Sequence, residues 1–241
     1  MRNRPACDEL EFIDDVSAFG FDVANWTRGK SFMSHAPEGV STMLYTRLWS
    51  NHGAYLTLWK AGHRLEADII LRSAVEAAIC LAANKVLGKA FYPLILADLA
   101  TTLKTRASQF RSAGSTRLAQ EAEELRQRLM PRTEGKRGYL NWSVLAEASG
   151  HPELYDLHQH LSSSAAHVAA YSMMRGVTGE DGTLAAQHAE LAVIEGARHP
   201  VFMANATLLG ATMHAEVAGA AEFLARSQTL ISRSNQVTSN W

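Results

Sequence analysis

The sequence is poor in cysteine and proline, with two and six among 241 residues. Cys7 and Cys80 cannot make a disulfide framework, which favours a reducing, cytosolic compartment. No apolar run reaches the roughly 18 residues of a membrane span, and the N-terminus is acidic where a signal peptide would be apolar. A net charge of −1 gives no general attraction to nucleic acid or to an anionic membrane. The sequence therefore predicts a cytoplasmic protein without membrane or nucleic-acid partners.

Strand-like alternation is also scarce, whereas Ala, Leu and Glu are plentiful. The pattern predicts an all-α single domain over 1–241, with an antiparallel bundle core of about five to seven helices and long central and C-terminal members. The expected helices are 8–19, ending at Gly20, then 40–60, 65–87, 93–110, 116–129, 143–149, 153–175 and 200–232. Residues 183–198 are compatible with either a helix or irregular chain.

The central helix 65–87 has no continuous polar face, which is typical of a helix surrounded by others. Its only charged residues between Ile69 and Ala83 are Arg72 and Glu76, whose i,i+4 spacing lets them pair. Since Arg has five donors and one carboxylate cannot use them all, a second polar element should face them. If the pair is buried, Arg72→Ala should cost about 3–5 kcal/mol.

Helix 153–175 offers that second element. One stripe of the helical wheel carries polar residues between apolar neighbours: His160, Ser163, Ser164, His167 and Tyr171. We expect Arg72 and Glu76 to meet Ser163 and His167 across a helix interface, because polar groups on packed helices need hydrogen-bond partners. The candidate ligand-binding residues are therefore Arg72, Glu76, Ser163, His167, His160 and Tyr171.

The motif Arg72-Ser73-x-x-Glu76, followed by Tyr155, Leu161-Ser162 and His167, resembles a bacterial family of helical proteins of unknown function, domain-of-unknown-function family 5677. The resemblance covers roughly residues 40–175. It implies an all-helical fold and assigns no activity. Some related helical families take part in phage defence or toxin systems, which is an analogy from fold alone.

Three classes of function remain open. The polar cluster either binds a small polar or anionic ligand or simply holds the fold. The spacing from Arg47 to His52 also resembles the Arg–His motif of HEPN ribonucleases. A serine-nucleophile triad is disfavoured because Ser163 and His167 lie on one helix without a strand-to-helix elbow. The chain lacks the Glu-x-x-His and His-Glu-x-x-His spacings of helical metal sites, so we expect neither metal nor cofactor.

Three further segments carry expectations. The loop 131–138 could act as a mobile lid whose Lys136 and Arg137 reach an anion. Helix 201–232 is rich in Ala and Gly, which allows either tight packing inside the bundle or a self-association face. The polar tail 233–241 is expected to fray.

Overall fold

The computed structural model describes residues 6–163 and 198–239, and in this part of the chain it contains helices and no strand. The all-α prediction is confirmed. The α-helices are α1 (Cys7–Arg28), α2 (Pro37–Lys60), α3 (Arg64–Leu87), α4 (Phe91–Ser112), α5 (Thr116–Leu129), α6 (Trp142–Ala148), α7 (Pro152–Leu161), α8 (His199–Ala218) and α9 (Leu224–Thr238). Short 3-10 turns cover Gly88–Ala90, Met130–Thr133 and Ala221–Phe223.

Four long helices, α1, α2, α3 and α8, enclose the main core. α3 and α8 carry the largest numbers of buried residues, as their apolar character on every side requires. α6 and α7 pack on another side of α3, and α9 packs on α1 and α8. α4 and α5 form a hairpin with its own small apolar cluster, Leu103, Ala107 and Ala122, backed by Leu129.

α1 runs through Gly20, so the predicted end of the first helix at that glycine is wrong. The glycine makes room for a neighbour, since a Cβ at Gly20 would lie 2.5 Å from Cζ3 of Trp49 on α2. Tyr45, also on α2, donates its hydroxyl hydrogen to the Gly20 carbonyl oxygen at 2.7 Å. Gly20 therefore marks a close helix crossing rather than a helix end.

The predicted C-terminal helix 200–232 is two helices. α8 ends at Ala218 because Gly219 adopts φ +77°, a conformation that glycine reaches without a side-chain clash. The tail predicted to fray continues α9 as far as Thr238. Arg233 ties this helix to α1 through ion pairs with Asp15 and Glu11.

The small residues of α8 pack inside the bundle, which was one of the two readings of their pattern. A Cβ at Gly210 would lie 2.1 Å from Cδ2 of Leu48 and 3.0 Å from Cδ1 of Leu81, so α8 approaches both α2 and α3 closely there. Self-association through residues 201–232 stays a prediction. Among the helices described, none is long and apolar enough to traverse a bilayer.

Candidate functional site

Arg72 and Glu76 lie one turn apart on α3 and form the expected ion pair, with Nη2 of the guanidinium 3.3 Å from Oε1 of the carboxylate. Their side chains are 29% and 27% exposed, so both are half-buried rather than enclosed. The sequence predicted full burial of both. Although α6 and α7 pack on α3, the guanidinium and the carboxylate keep part of their contact with water.

The imidazole facing this pair belongs to His158 of α7, whose side chain is only 4% exposed. Its Nε2 lies 3.0 Å from Oε1 of Glu76 and 3.4 Å from Nε of Arg72. A single Nε2 cannot donate to one and accept from the other, so the shorter contact to the carboxylate places the proton on Nε2. We call Arg72, Glu76 and His158 the polar cluster.

One feature of His158 is unusual for a purely structural residue. Its Nδ1 is buried without a hydrogen-bond partner in the part of the chain that the structure describes. Half-buried aromatic rings flank it, Trp142 at 5.8 Å and Tyr155 at 6.2 Å between ring centroids. An unsatisfied buried acceptor costs free energy, so the cluster is not optimised for stability alone.

The expected partners on this helix point elsewhere. Ser163 is exposed and donates its hydroxyl hydrogen to backbone carbonyls of its own helix, those of Gln159 and His160 at 3.0 Å each. His160 is also exposed, with its ring 6.3 Å from that of His199. His167 and Tyr171 lie outside the described residues, as do Ser164 and the rest of 164–197.

The error is one of helical phase. The buried face of α7 is Leu154, His158 and Leu161, an ordinary i, i+4, i+7 stripe with a histidine in its middle position. The serine–histidine stripe is rotated away from it. The spacing Leu154-x-x-x-His158-x-x-Leu161 was the signal in the sequence that could have identified the correct imidazole.

A second imidazole–carboxylate pair, which was not predicted from the sequence, joins the N-terminal parts of α3 and α8. Nδ1 of His199 lies 2.5 Å from Oδ1 of Asp68, and both side chains are only 3% exposed. Near this pair the Tyr55 hydroxyl is buried. Burial, and secondarily the negative charge of Asp68, raises the pKa of Tyr55 above its ordinary value.

Two further histidines lie between hydroxyl groups in the core. His52 of α2 contacts Ser17 of α1 through Nε2 and Thr207 of α8 through Nδ1, each at 2.9 Å. His214 of α8 contacts Thr27 of α1 through Nε2 and Ser41 of α2 through Nδ1, again at 2.9 Å. Each histidine layer thus takes one residue from α1, one from α2 and one from α8.

The proton positions of the second layer follow from its surroundings. Thr27 donates its hydrogen to the Val23 carbonyl at 2.7 Å, so it can only accept from His214 Nε2. The carbonyl that Ser41 would ordinarily use, that of Pro37, already accepts from Asn84 at 2.9 Å. Ser41 therefore donates to Nδ1, and His214 is neutral with its proton on Nε2.

Burial sets the charge of both core histidines. It lowers the pKa of His52 and the pKa of His214 from 6.5 to about 4. Stacked aromatic rings, Trp49 on His52 and Tyr45 on His214, add apolar surroundings. Both imidazoles are therefore neutral at physiological pH.

This placement bears on the HEPN-like spacing. His52 is only 2% exposed and is enclosed by its two hydroxyl partners, whereas Arg47 is exposed. They are five positions apart on the helix, which places their side chains about 140° apart around its axis. The two side chains therefore lie on different sides of α2, and the HEPN-like function stays a prediction.

Over residues 6–163 and 198–239, no group of three or more His, Cys, Asp or Glu side chains is arranged to hold a metal ion. The free cysteines there are Cys7, which is exposed, and Cys80, which is buried. Comparison with known proteins found no matching family model, no matching curated protein and no matching solved structure, so function must be argued from the side chains themselves.

Proposed function

We propose that the chain binds a small polar or anionic ligand at the polar cluster, with Arg72 as the anchoring cation. The supporting observation is the imbalance at this residue. Its guanidinium has five N–H donors, yet within the described residues its polar contacts are the ion pair with Oε1 of Glu76 at 3.3 Å and the approach to His158 Nε2 at 3.4 Å. Because the proton on His158 Nε2 faces Arg72 Nε, that donor is left without a good acceptor.

The surroundings suggest the chemistry of the ligand. A carboxylate or phosphate oxygen would take the unused donors of Arg72, which is partly open to solvent. Within the described residues the contacts of Glu76 use Oε1, and a donor group could take Oε2, so a ligand that carries both an anionic group and an N–H or O–H fits best. The half-buried rings of Trp142 and Tyr155 provide apolar surface close to His158.

Thermal-shift screening of the full chain against carboxylate and phosphate metabolites tests this proposal. A ligand present at about 100 times its Kd should stabilise the folded chain by about 2.7 kcal/mol, which is readily seen as a rise in Tm. The rise should disappear in Arg72→Gln. It should persist in Lys60→Gln, a control that removes an exposed cation from the last turn of α2.

Two results would count against ligand binding. One is a library in which no anionic compound shifts the wild-type chain. The other is a shift that survives in Arg72→Gln, because the ligand would then be held elsewhere. Either result would favour the alternative that the polar cluster only holds α3 and α7 together.

The cellular setting is part of the same proposal. A cytoplasmic location is supported by the two free thiols, Cys7 and Cys80. Fractionation of cells expressing the tagged chain would test it, and recovery in the membrane pellet would contradict it.

A further inference from the structure

A cleft of about 430 Å³ opens between α4, α5 and the segment that follows the 3-10 turn Met130–Thr133. Four cations line it: Lys104 of α4, Arg126 of α5, and Lys136 and Arg137 of the following segment. Ala100 and Met130 form apolar parts of its wall. The volume lies within the range of about 300–1,000 Å³ that is usual for small-ligand sites.

The four cations are not equivalent. Glu123 holds the Arg126 guanidinium through two nitrogens, Nε at 3.0 Å and Nη2 at 2.6 Å from Oε1. Lys104, Lys136 and Arg137 form no ion pair with a carboxylate within the described ranges. The cleft therefore concentrates three uncompensated positive charges in a chain whose net charge is −1.

Hydrogen bonds to α4 hold the segment beside the cleft. The Leu140 N–H donates to Oδ1 of Asp98 at 2.9 Å, and the Gly138 carbonyl oxygen lies 3.3 Å from the Thr101 hydroxyl, whose hydrogen is shared with the nearer Ala97 carbonyl at 2.8 Å. The hydroxyls of Thr105 and Tyr139 lie 2.9 Å apart. These contacts fix the backbone on the C-terminal side of Arg137, so its charge is positioned at the cleft rather than spread over a long loop.

We propose that this cleft binds a small organic phosphate, a phosphomonoester whose dianionic head lies among Lys104, Lys136 and Arg137. Of the common biological anions, a phosphomonoester carries close to two negative charges and several acceptor oxygens, so it uses three cations more fully than a single carboxylate does. Arg137 supplies the planar fork that matches a phosphate edge, and the lysines act as point charges. The carbon skeleton of the ligand lies against Ala100 and Met130.

A small molecule fits this site better than a nucleic acid. α5 carries the exposed carboxylates Glu121 and Glu124 within two turns before Arg126. Arg117 and Arg128 pair with these carboxylates, so α5 adds no net positive charge for a polyanion that extends beyond the cleft. A ligand with a single phosphate, contained in the cleft, needs no such extension.

Isothermal titration calorimetry of the full chain with ribose 5-phosphate at pH 8 tests the proposal, with ribose as the uncharged control. We expect saturable binding of the phosphate at one site and no binding of ribose. Lys104→Gln and Arg137→Gln should each weaken it about tenfold, the effect expected for one charged hydrogen bond. Arg106→Gln, which removes an exposed cation of α4 outside the cleft, should change the affinity by less than about twofold.

Equal losses in Arg106→Gln and Arg137→Gln would show diffuse charge attraction and overturn the proposal, as would the absence of saturable heat. Tighter binding of a short single-stranded oligonucleotide, weakened by the same cleft variants, would also overturn it and assign the cleft to nucleic acid. Arg72→Gln should leave the titration unchanged. If it abolishes binding, the phosphate lies at the polar cluster and the cleft is not its site, so the two proposals fail separately.

Discussion

Acidification should destabilise the protein through its two core histidines. His52 and His214 are held neutral by burial, with the pKa of each lowered from 6.5 to about 4. Their contacts are hydroxyl groups and stacked neutral rings, so the contacts described for them provide no anion to stabilise an imidazolium. Either imidazole therefore binds a proton more readily in the unfolded chain than in the native one, so protonation lowers the free energy of unfolding.

The sign and size follow from proton linkage. Between pH 6.5 and about 4 the unfolded chain binds protons that the native chain does not, so this contribution to stability is complete above 6.5 and is lost as the pH falls towards 4. The distance from 6.5 to about 4 corresponds to about 3 kcal/mol per imidazole at the acid limit, and to about 2 kcal/mol per imidazole at pH 5. The two together would remove about 4 kcal/mol at pH 5, a large part of the total stability of an ordinary domain, about 5–15 kcal/mol.

Urea unfolding followed by circular dichroism at pH 7.0 and at pH 5.0 measures this loss. The variants His52→Gln and His214→Gln each start from a lower stability at pH 7, but each should lose about 2 kcal/mol less than the wild type between the two pH values. His35→Gln, at an exposed position before α2, is the matched control and should keep the wild-type pH dependence. A wild-type chain whose free energy of unfolding hardly changes, or a core variant with an undiminished loss, would refute the reasoning.

Three further substitutions test packing and the polar cluster by thermal or urea unfolding. Gly210→Ala should destabilise by about 1–3 kcal/mol because its Cβ would lie 2.1 Å from Leu48 Cδ2, and a neutral result would contradict that close approach. Gly53→Ala, with open space around its Cβ, should instead stabilise α2 by about 0.5–1 kcal/mol, and a loss of stability would be unexpected. Arg72→Ala should cost about 1 kcal/mol, not the 3–5 kcal/mol expected for full burial, because Arg72 and Glu76 are partly solvated; a loss above about 3 kcal/mol would show that this pair is enclosed.

The helices and the Arg72–Glu76 pair of α3 could be predicted from the sequence because both depend on local patterns. Apolar residues on every side of 65–87 indicate a central helix whatever surrounds it, and i,i+4 spacing brings Arg72 to Glu76 without outside help. Helix ends were predicted less well where a glycine serves packing. Gly20 reads as a break, yet it lies inside α1 because Trp49, a residue far along the chain, fills its space.

The imidazole that contacts Arg72 and Glu76 lies on the predicted helix, α7, but on a different face of it. A polar stripe flanked by apolar residues can indicate a buried polar face. The same sequence pattern also arises when the flanking apolar residues form the buried face and that face includes one histidine. α7 is of the second kind, because His158 lies between Leu154 and Leu161 while Ser163 faces outward. The spacing of Leu154, His158 and Leu161 marks His158 as the other candidate, and the position of α3 selects it over the serine–histidine stripe.

The buried histidines reveal why α8 has a defined register. Its core-facing residues are mostly Ala, Gly and other small side chains, which make shallow ridges that would tolerate a shift along the axis. Three polar residues of α8 follow one another at intervals of about two turns. His199 contacts Asp68, Thr207 contacts His52, and His214 contacts Ser41. A slide of α8 by one turn, about 5.4 Å, would break all three contacts together, and the loss of hydrogen bonds between buried polar groups costs free energy. Hydrophobic burial can hold this helix in the bundle, but these polar contacts select the one position along its axis.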